Sequence, residues 1–180
     1  MPKMRFLMID GQGDPNNSKD FQGAIQALYS VVYGLKFARK KAGQDTFSVG
    51  ALEGLWWASK GKPYAMGKRQ NWLWTLMIWL PDFVSQSEVT EMARTIQAKK
   101  PNPALAKLRL DNFAEGRVVQ IMHIGPYANE QPSIDKMHEL AAGRGLIQTG
   151  KHHEIYLGDP RRADPAKLRT IVRHPVGPEI

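Results

Sequence analysis

The sequence predicts a single α+β domain built from two copies of a strand–helix–strand–strand unit. Three observations carry that expectation. A long amphipathic helix with a clean apolar stripe lies near the N-terminus, short apolar strands rich in aromatic and β-branched residues follow it, and a faint internal duplication repeats the order of elements. The two units are expected at about 3–99 and 107–176 of one domain covering 1–180. A chain of 180 residues is long enough to bury a substantial core.

Met4–Ile9 is apolar and is followed by the turn-rich DGQGDPNNS, so it reads as a strand and its loop. Phe21, Ile25, Leu28, Val32 and Leu35 recur at steps of four and three, which places a helix over 19–41, with Gly43 just past its end. Phe47–Ala58 and Trp72–Leu80 read as strands, and the polar SKGKPYAMGKRQ between them as a mobile loop. Ser85 and Glu88 have the spacing of a capping box, and Val84 and Val89 that of a hydrophobic staple, so a helix runs from about 86 to 99 and stops at Pro101. Residues 101–106 read as a linker. Leu108–Phe113 and Arg117–Ile124 are strands about a turn at Glu115–Gly116. A short helix over 133–142 turns Ile134, Met137 and Leu140 inward. Lys151–Leu157 and Leu168–His174 are the last strands, with Asp164–Pro165 a capped turn between them.

The duplication is legible in order more than in identity. FLMIDGQGDPNNSKDFQGAIQAL resembles VQIMHIGPYANEQPSIDKMHELA, each a strand, a Gly-bearing loop and an amphipathic helix. Each is followed by a strand bearing a glutamate, Glu53 or Glu154, and then by a strand ending in proline, Pro81 or Pro175. An approximate two-fold would place Glu53 and Glu154 at equivalent sites beside a cleft between the halves.

Composition narrows the function. Apolar residues make up 42% and charged residues 23%, as in ordinary globular domains. No apolar run is long enough to span a bilayer, and the N-terminus has no signal-peptide pattern, so a cytoplasmic protein without a membrane partner is expected. The absence of cysteine excludes disulfides and thiolate metal sites. The formal charge of +8 is spread over helix ends and loops, and no nucleic-acid-binding motif accompanies it, so direct nucleic-acid binding is not expected.

Side chains alternate along a strand, so His152, Glu154 and Tyr156 share one face, as do Ala51, Glu53, Leu55 and Trp57. A buried carboxylate flanked by rings must be paired, protonated or matched by a cation. Either a cationic planar ligand or general acid–base chemistry would satisfy it. For Glu53 an ordinary surface ion pair is the competing reading. Trp56, Trp57, Trp72 and Trp74 cluster about one pair of strands, some as core and some as cavity walls. His152 and Glu154 invite a metal, yet no third ligand is evident, so neither a metal nor another cofactor is expected. GQGDPN is not a dinucleotide-binding loop.

The motifs HIGPY (123–127), KHHEIYLGDPRRADPAKLRTIVRHPV (151–176), LEGLWW (52–57) and WTLMIWLPDF (74–83) resemble those of GyrI-like small-molecule-binding proteins of the stand-alone branch. That resemblance implies a duplicated SHS2-type fold, with an antiparallel sheet and a pseudo-two-fold central groove for planar hydrophobic or cationic compounds. It also implies a cyclopropanoid cyclopropyl hydrolase activity that detoxifies DNA-alkylating compounds. By the same resemblance Glu154 is the candidate base and Glu53 a second acid. Trp57, Tyr127 and Tyr156 are candidate walls, joined by Trp74 and His152 as ligand-binding residues. The alternatives are a binding protein without chemistry, such as a drug sponge or sensor, and a protein that interacts with gyrase.

Overall fold

A computed structural model describes residues 1–58 and 72–178. The segment SKGKPYAMGKRQ, expected as a mobile loop, lies outside the described residues.

The chain forms eight strands and three α-helices among the described residues. These are β1 (Met4–Gln12), α1 (Lys19–Lys41), β2 (Leu52–Ala58), β3 (Trp72–Trp79), α2 (Gln86–Lys99), β4 (Arg109–Phe113), β5 (Val118–Ile124), α3 (Gln131–Ala142), β6 (Leu146–Gln148), β7 (His152–Tyr156) and β8 (Arg169–Pro178). The sheet order is β4-β1-β3-β2-β7-β8-β5, with β6 added to β8 and every pair antiparallel. The six strands β1-β3-β2-β7-β8-β5 read as the same unit from either end. That palindrome is the tandem strand–helix–strand–strand fold, and its pseudo-two-fold passes between β2 and β7.

Local sequence explains the helices. Ser18 accepts the backbone N–H of Phe21 and starts α1, and Arg39, Lys40 and Lys41 favour its C-terminal dipole. Ala24, Ala27, Leu28, Val31, Val32 and Leu35 then face the sheet, where they meet Leu7, Ile9, Leu76 and Ile78. Ser85 and Glu88 form the full capping box of α2, with Val84 and Val89 buried around it. Met92 of α2 fills the space that a side chain at Gly34 would need, so the two helices approach closely there.

Five boundaries depart from the sequence expectation. Residues 47–51 are not strand: Phe47 is buried by side-chain packing against Phe83, without ladder pairing. The stretch 101–106 is no linker. Asn102 caps a 3₁₀ turn over Pro103–Lys107 that carries Ala104 and Leu105 into the core. Helix α3 begins at Gln131, and its buried stripe runs Ile134, Met137, Ala141, which leaves Leu140 exposed. The short β6 was not anticipated. Strand β8 continues past Pro175 to Pro178, tolerated because this end pairs at the sheet periphery.

Helix α1 packs on β1 and β3, and α3 on β5, β6 and β8. The central strands β2 and β7 therefore lie between the two helices. On that side they present Leu52, Gly54 and Trp56 beside His152, Glu154 and Tyr156, because Gly54 pairs with Glu154 and Trp56 with His152.

Candidate functional site

Glu154 is the centre of a buried polar cluster on the helix side of β7. It is 6% exposed, and its Oε1 lies 2.8 Å from His152 Nε2. The Tyr156 phenol donates to the same carboxylate, and Trp56 Nε1 donates to the phenol oxygen at 3.1 Å. Gly54 makes this arrangement possible. A Cβ there would stand 2.8 Å from Trp56 Nε1 and 3.0 Å from the Tyr156 oxygen. Tyr127 meets Tyr156 edge-on, ring centroids 5.7 Å apart.

A second carboxylate arrives from the same C-terminal half, at the start of α3, beside the trough that β2 and β7 floor between the helices. Glu130 immediately precedes α3, is 1% exposed, and places Oε2 3.9 Å from His152 Nε2. Its Oε1 is buried without a hydrogen-bond partner. Burial and the charge of Glu154 push its pKa up to about 9, so Glu130 carries a proton at neutral pH. The HIGPY motif explains how Glu130 is placed. His123 Nε2 donates to the Pro126 carbonyl at 3.1 Å, and Nδ1 accepts from Ser133 at 3.2 Å, which ties the loop to the first turn of α3. Gly125 permits the turn with φ of 129°. Burial, reinforced by Glu154, Glu130 and Asp159, pushes the Tyr127 phenol to about 12, so it stays a hydrogen-bond donor.

One ligand atom each from Glu130, His152 and Glu154 falls within a span of 4.8 Å. That spacing suits a shared proton or a small cation. The His152–Glu154 contact has the length of an N–H···O hydrogen bond, and two carboxyl groups this close retain a proton between them, so the geometry is that of an acid–base cluster.

The structure separates the sequence candidates into two groups. Glu154, His152, Tyr156 and Tyr127 come together. Glu53 and Trp57 do not join them, because Glu53 pairs with Ile155, not Glu154, and faces the opposite side of the sheet. The expected equivalence of Glu53 and Glu154 is therefore corrected: a one-residue offset between the two repeats reverses the face. Glu53 instead meets His153 Nε2 at 3.0 Å, and Trp57 stacks under Lys151 Nζ at 3.3 Å. Trp74 is 1% exposed, lying flat over Gly11 and edge-on to Phe21, so it supports the wall from within the core. Trp56 occupies the position beside the cluster that Trp74 was expected to fill. Sequence reasoning missed Glu130. Its only local signal is an acid just before a Pro-bearing helix start, which reads as a helix end. A recess of about 400 Å³ lined by Arg117, Leu140, Arg144 and Val176 lies away from this cluster and contains none of its acids.

Residues 1–176 match the GyrI-like small molecule binding domain. The chain belongs to the GyrI-like family. It is similar to a conserved protein from Listeria innocua, with 39% identity, a TM-score of 0.90, and 98% of this chain and 89% of that one covered. It is also similar to a Listeria innocua hydrolase encoded by lin2189, with 38% identity, a TM-score of 0.87, and 98% and 88% covered. The C-terminal domain of EcmrR shares the fold alone, at 13% identity and a TM-score of 0.60 over 99% of this chain and 94% of that one. None of the curated proteins matches. A GyrI-like domain is a small-molecule-binding domain, and no described helix is long and apolar enough to cross a membrane.

Proposed function

We propose that this GyrI-like protein binds planar hydrophobic compounds, cationic ones included, over β2 and β7 and hydrolyses electrophiles of the cyclopropanoid DNA-alkylating class. The observation that carries the reading is the buried pair of carboxyl groups gathered about the His152 ring. Glu154 is held by His152 and Tyr156, and Glu130 beside it retains its proton. Pairs whose environments drive their protonation apart are the signature of acid–base work. The similarity to Listeria innocua hydrolase structures supports catalysis as a class.

In this mechanism Glu154 takes a proton from water as the water oxygen bonds to the cyclopropane methylene. The ring C–C bond breaks, its electron pair aromatises the adjoining dienone, and the dienone oxygen receives the proton of Glu130. Water has then been added across the bond, with a hydroxyl on carbon and a hydrogen on the phenol oxygen. Release of ring strain and aromatisation drive the reaction, so one base and one acid suffice.

The test mixes protein with a cyclopropane-fused dienone and follows the water adduct by mass spectrometry. Glu154→Gln is expected to lower turnover by about 100-fold or more, with binding by tryptophan quenching nearly unchanged. Wild-type turnover in Glu154→Gln would remove the base role. Quenching without any product in the wild type would leave a binding protein.

A further inference from the structure

Behind Glu154, away from the trough, stands a row of three imidazoles drawn from three elements. His152 Nδ1 lies 2.8 Å from His174 Nε2, and His174 Nδ1 lies 2.9 Å from His138 Nε2. The first ring is on β7, the second on β8 and the third on α3. His152 and His174 are each 2% exposed, whereas His138 is exposed. Neighbouring ring centroids are 5.0 Å apart in both pairs. We infer that His138, His174 and His152 form a proton path joining the Glu154 carboxyl group to solvent on the α3 side of the protein.

The atom balance needs no ring rotation. With Glu154 ionised, His152 donates Nε2–H to it, His174 donates Nε2–H to His152 Nδ1, and His138 donates Nε2–H to His174 Nδ1. The outermost Nδ1 of His138 is then free to accept from water. With Glu154 protonated, every bond points the other way, and His138 Nδ1 carries the hydrogen. The two arrangements differ by one proton, lost from Glu154 at one end and released to water at the other. Each imidazole passes it on because one ring nitrogen accepts while the other donates.

The row suits this role in two further ways. Relay requires rings that stay neutral between transfers, since a protonated ring can only donate. Burial, with the charges of His152, His138 and His153, holds His174 far below its usual pKa, at about 3. The groups facing the row are few. Glu130 and Glu154 stand at the inner end, His153 acts through the sheet, and Val119 lies opposite His174 on β5.

This inference rests on the proposed hydrolysis, which leaves Glu154 protonated and Glu130 ionised after each turnover. Both carboxyl groups are buried, so a planar ligand over the trough would close the front route to water. The row discharges Glu154 from behind, and Glu130 regains its proton when product leaves. His138 and His174 are thus positioning residues, acting on substrate only through His152 and Glu154.

The experiment uses the full chain and the same cyclopropane-fused dienone. His138→Ala, at an exposed helix position, is expected to lower kcat on the order of ten-fold at unchanged KM, with recovery when free imidazole is added to the buffer. His174→Gln is expected to show the same loss without rescue, because its ring is buried. Wild-type kcat in both variants, or a His138→Ala loss that imidazole does not restore, overturns the path. A second arm needs no substrate. In ¹⁵N-histidine spectra, His138→Ala is expected to change the ring-nitrogen shifts of His152, two rings away, and unchanged shifts overturn the path. Should the wild type fail to turn over the compound, the hydrolytic reading falls, and the spectra alone decide the hydrogen-bonded row.

Discussion

His152 and His153 are neighbours in the chain, and their side chains leave β7 on opposite faces of the sheet. Each sits between two carboxyl groups, yet the two environments differ in charge. On the face away from the helices, His153 bonds Glu53 at 3.0 Å and Glu115 at 2.9 Å, and Arg173 bonds Glu115 at 3.1 Å and Gln120 at 2.9 Å. Burial opposes charge there, but the two glutamates outweigh it and hold His153 above its ordinary pKa. His153 and Arg173 likewise keep Glu115 below its own. His153 and Arg173 between them bond both carboxyl groups, and the network is satisfied. On the helix face, Glu130 and Glu154 share a single imidazole, no arginine among the described residues pairs with either, and Glu130 keeps an unpartnered buried oxygen. The satisfied cluster ties β7, β8 and the β4–β5 turn together. The unsatisfied one stores the acid–base imbalance that chemistry can use.

Variants on each face can break this contrast or sharpen it. The largest effect is expected from Arg173→Ala, which leaves Glu115 buried beside one histidine. Urea unfolding should show a loss of about 3–5 kcal/mol. Glu130→Gln should have the opposite sign. It replaces a buried acid, destabilised by a neighbouring carboxylate, with a neutral isostere, and should raise stability at pH 7 by roughly 1–3 kcal/mol while lowering turnover. A loss of stability in that variant would mean that Glu130 is a structural anchor.

The pH dependence separates the two buried groups that oppose each other. The raised pKa of Glu130 means that its contribution is intact below about 4.5 and is lost as pH rises toward about 9. The advantage of Glu130→Gln over wild type should therefore grow with pH across that window. The lowered pKa of His174 works in the other direction: its contribution is intact above about 6.5 and is lost as pH falls toward about 3. His174→Gln should flatten the acid side of the stability profile measured by urea melts. The smallest effect is expected from Glu53→Gln. With a side chain 13% exposed and Glu115 still paired to His153, it should cost about 1 kcal/mol or less and leave turnover as in wild type. A large fall in turnover would return Glu53 to the active site.

Local periodicity determined a good deal about this protein. The step of three and four along α1, the capping box of α2 and the period-two alternation of β7 follow from residues close in the chain, so the helices and the shared face of His152, Glu154 and Tyr156 were legible in advance. So was the repeated order of four elements that sets the palindromic sheet. Tertiary structure alone decided which face Glu53 takes relative to Glu154, since pairing register is a relation between strands and one residue of slip inverts it. It also decided that Glu130 and His174 join the cluster and that Trp56, not Trp74, borders it. Those residues come from separate elements, and their meeting depends on how helices and strands pack, a distance in space that spacing along the chain does not encode.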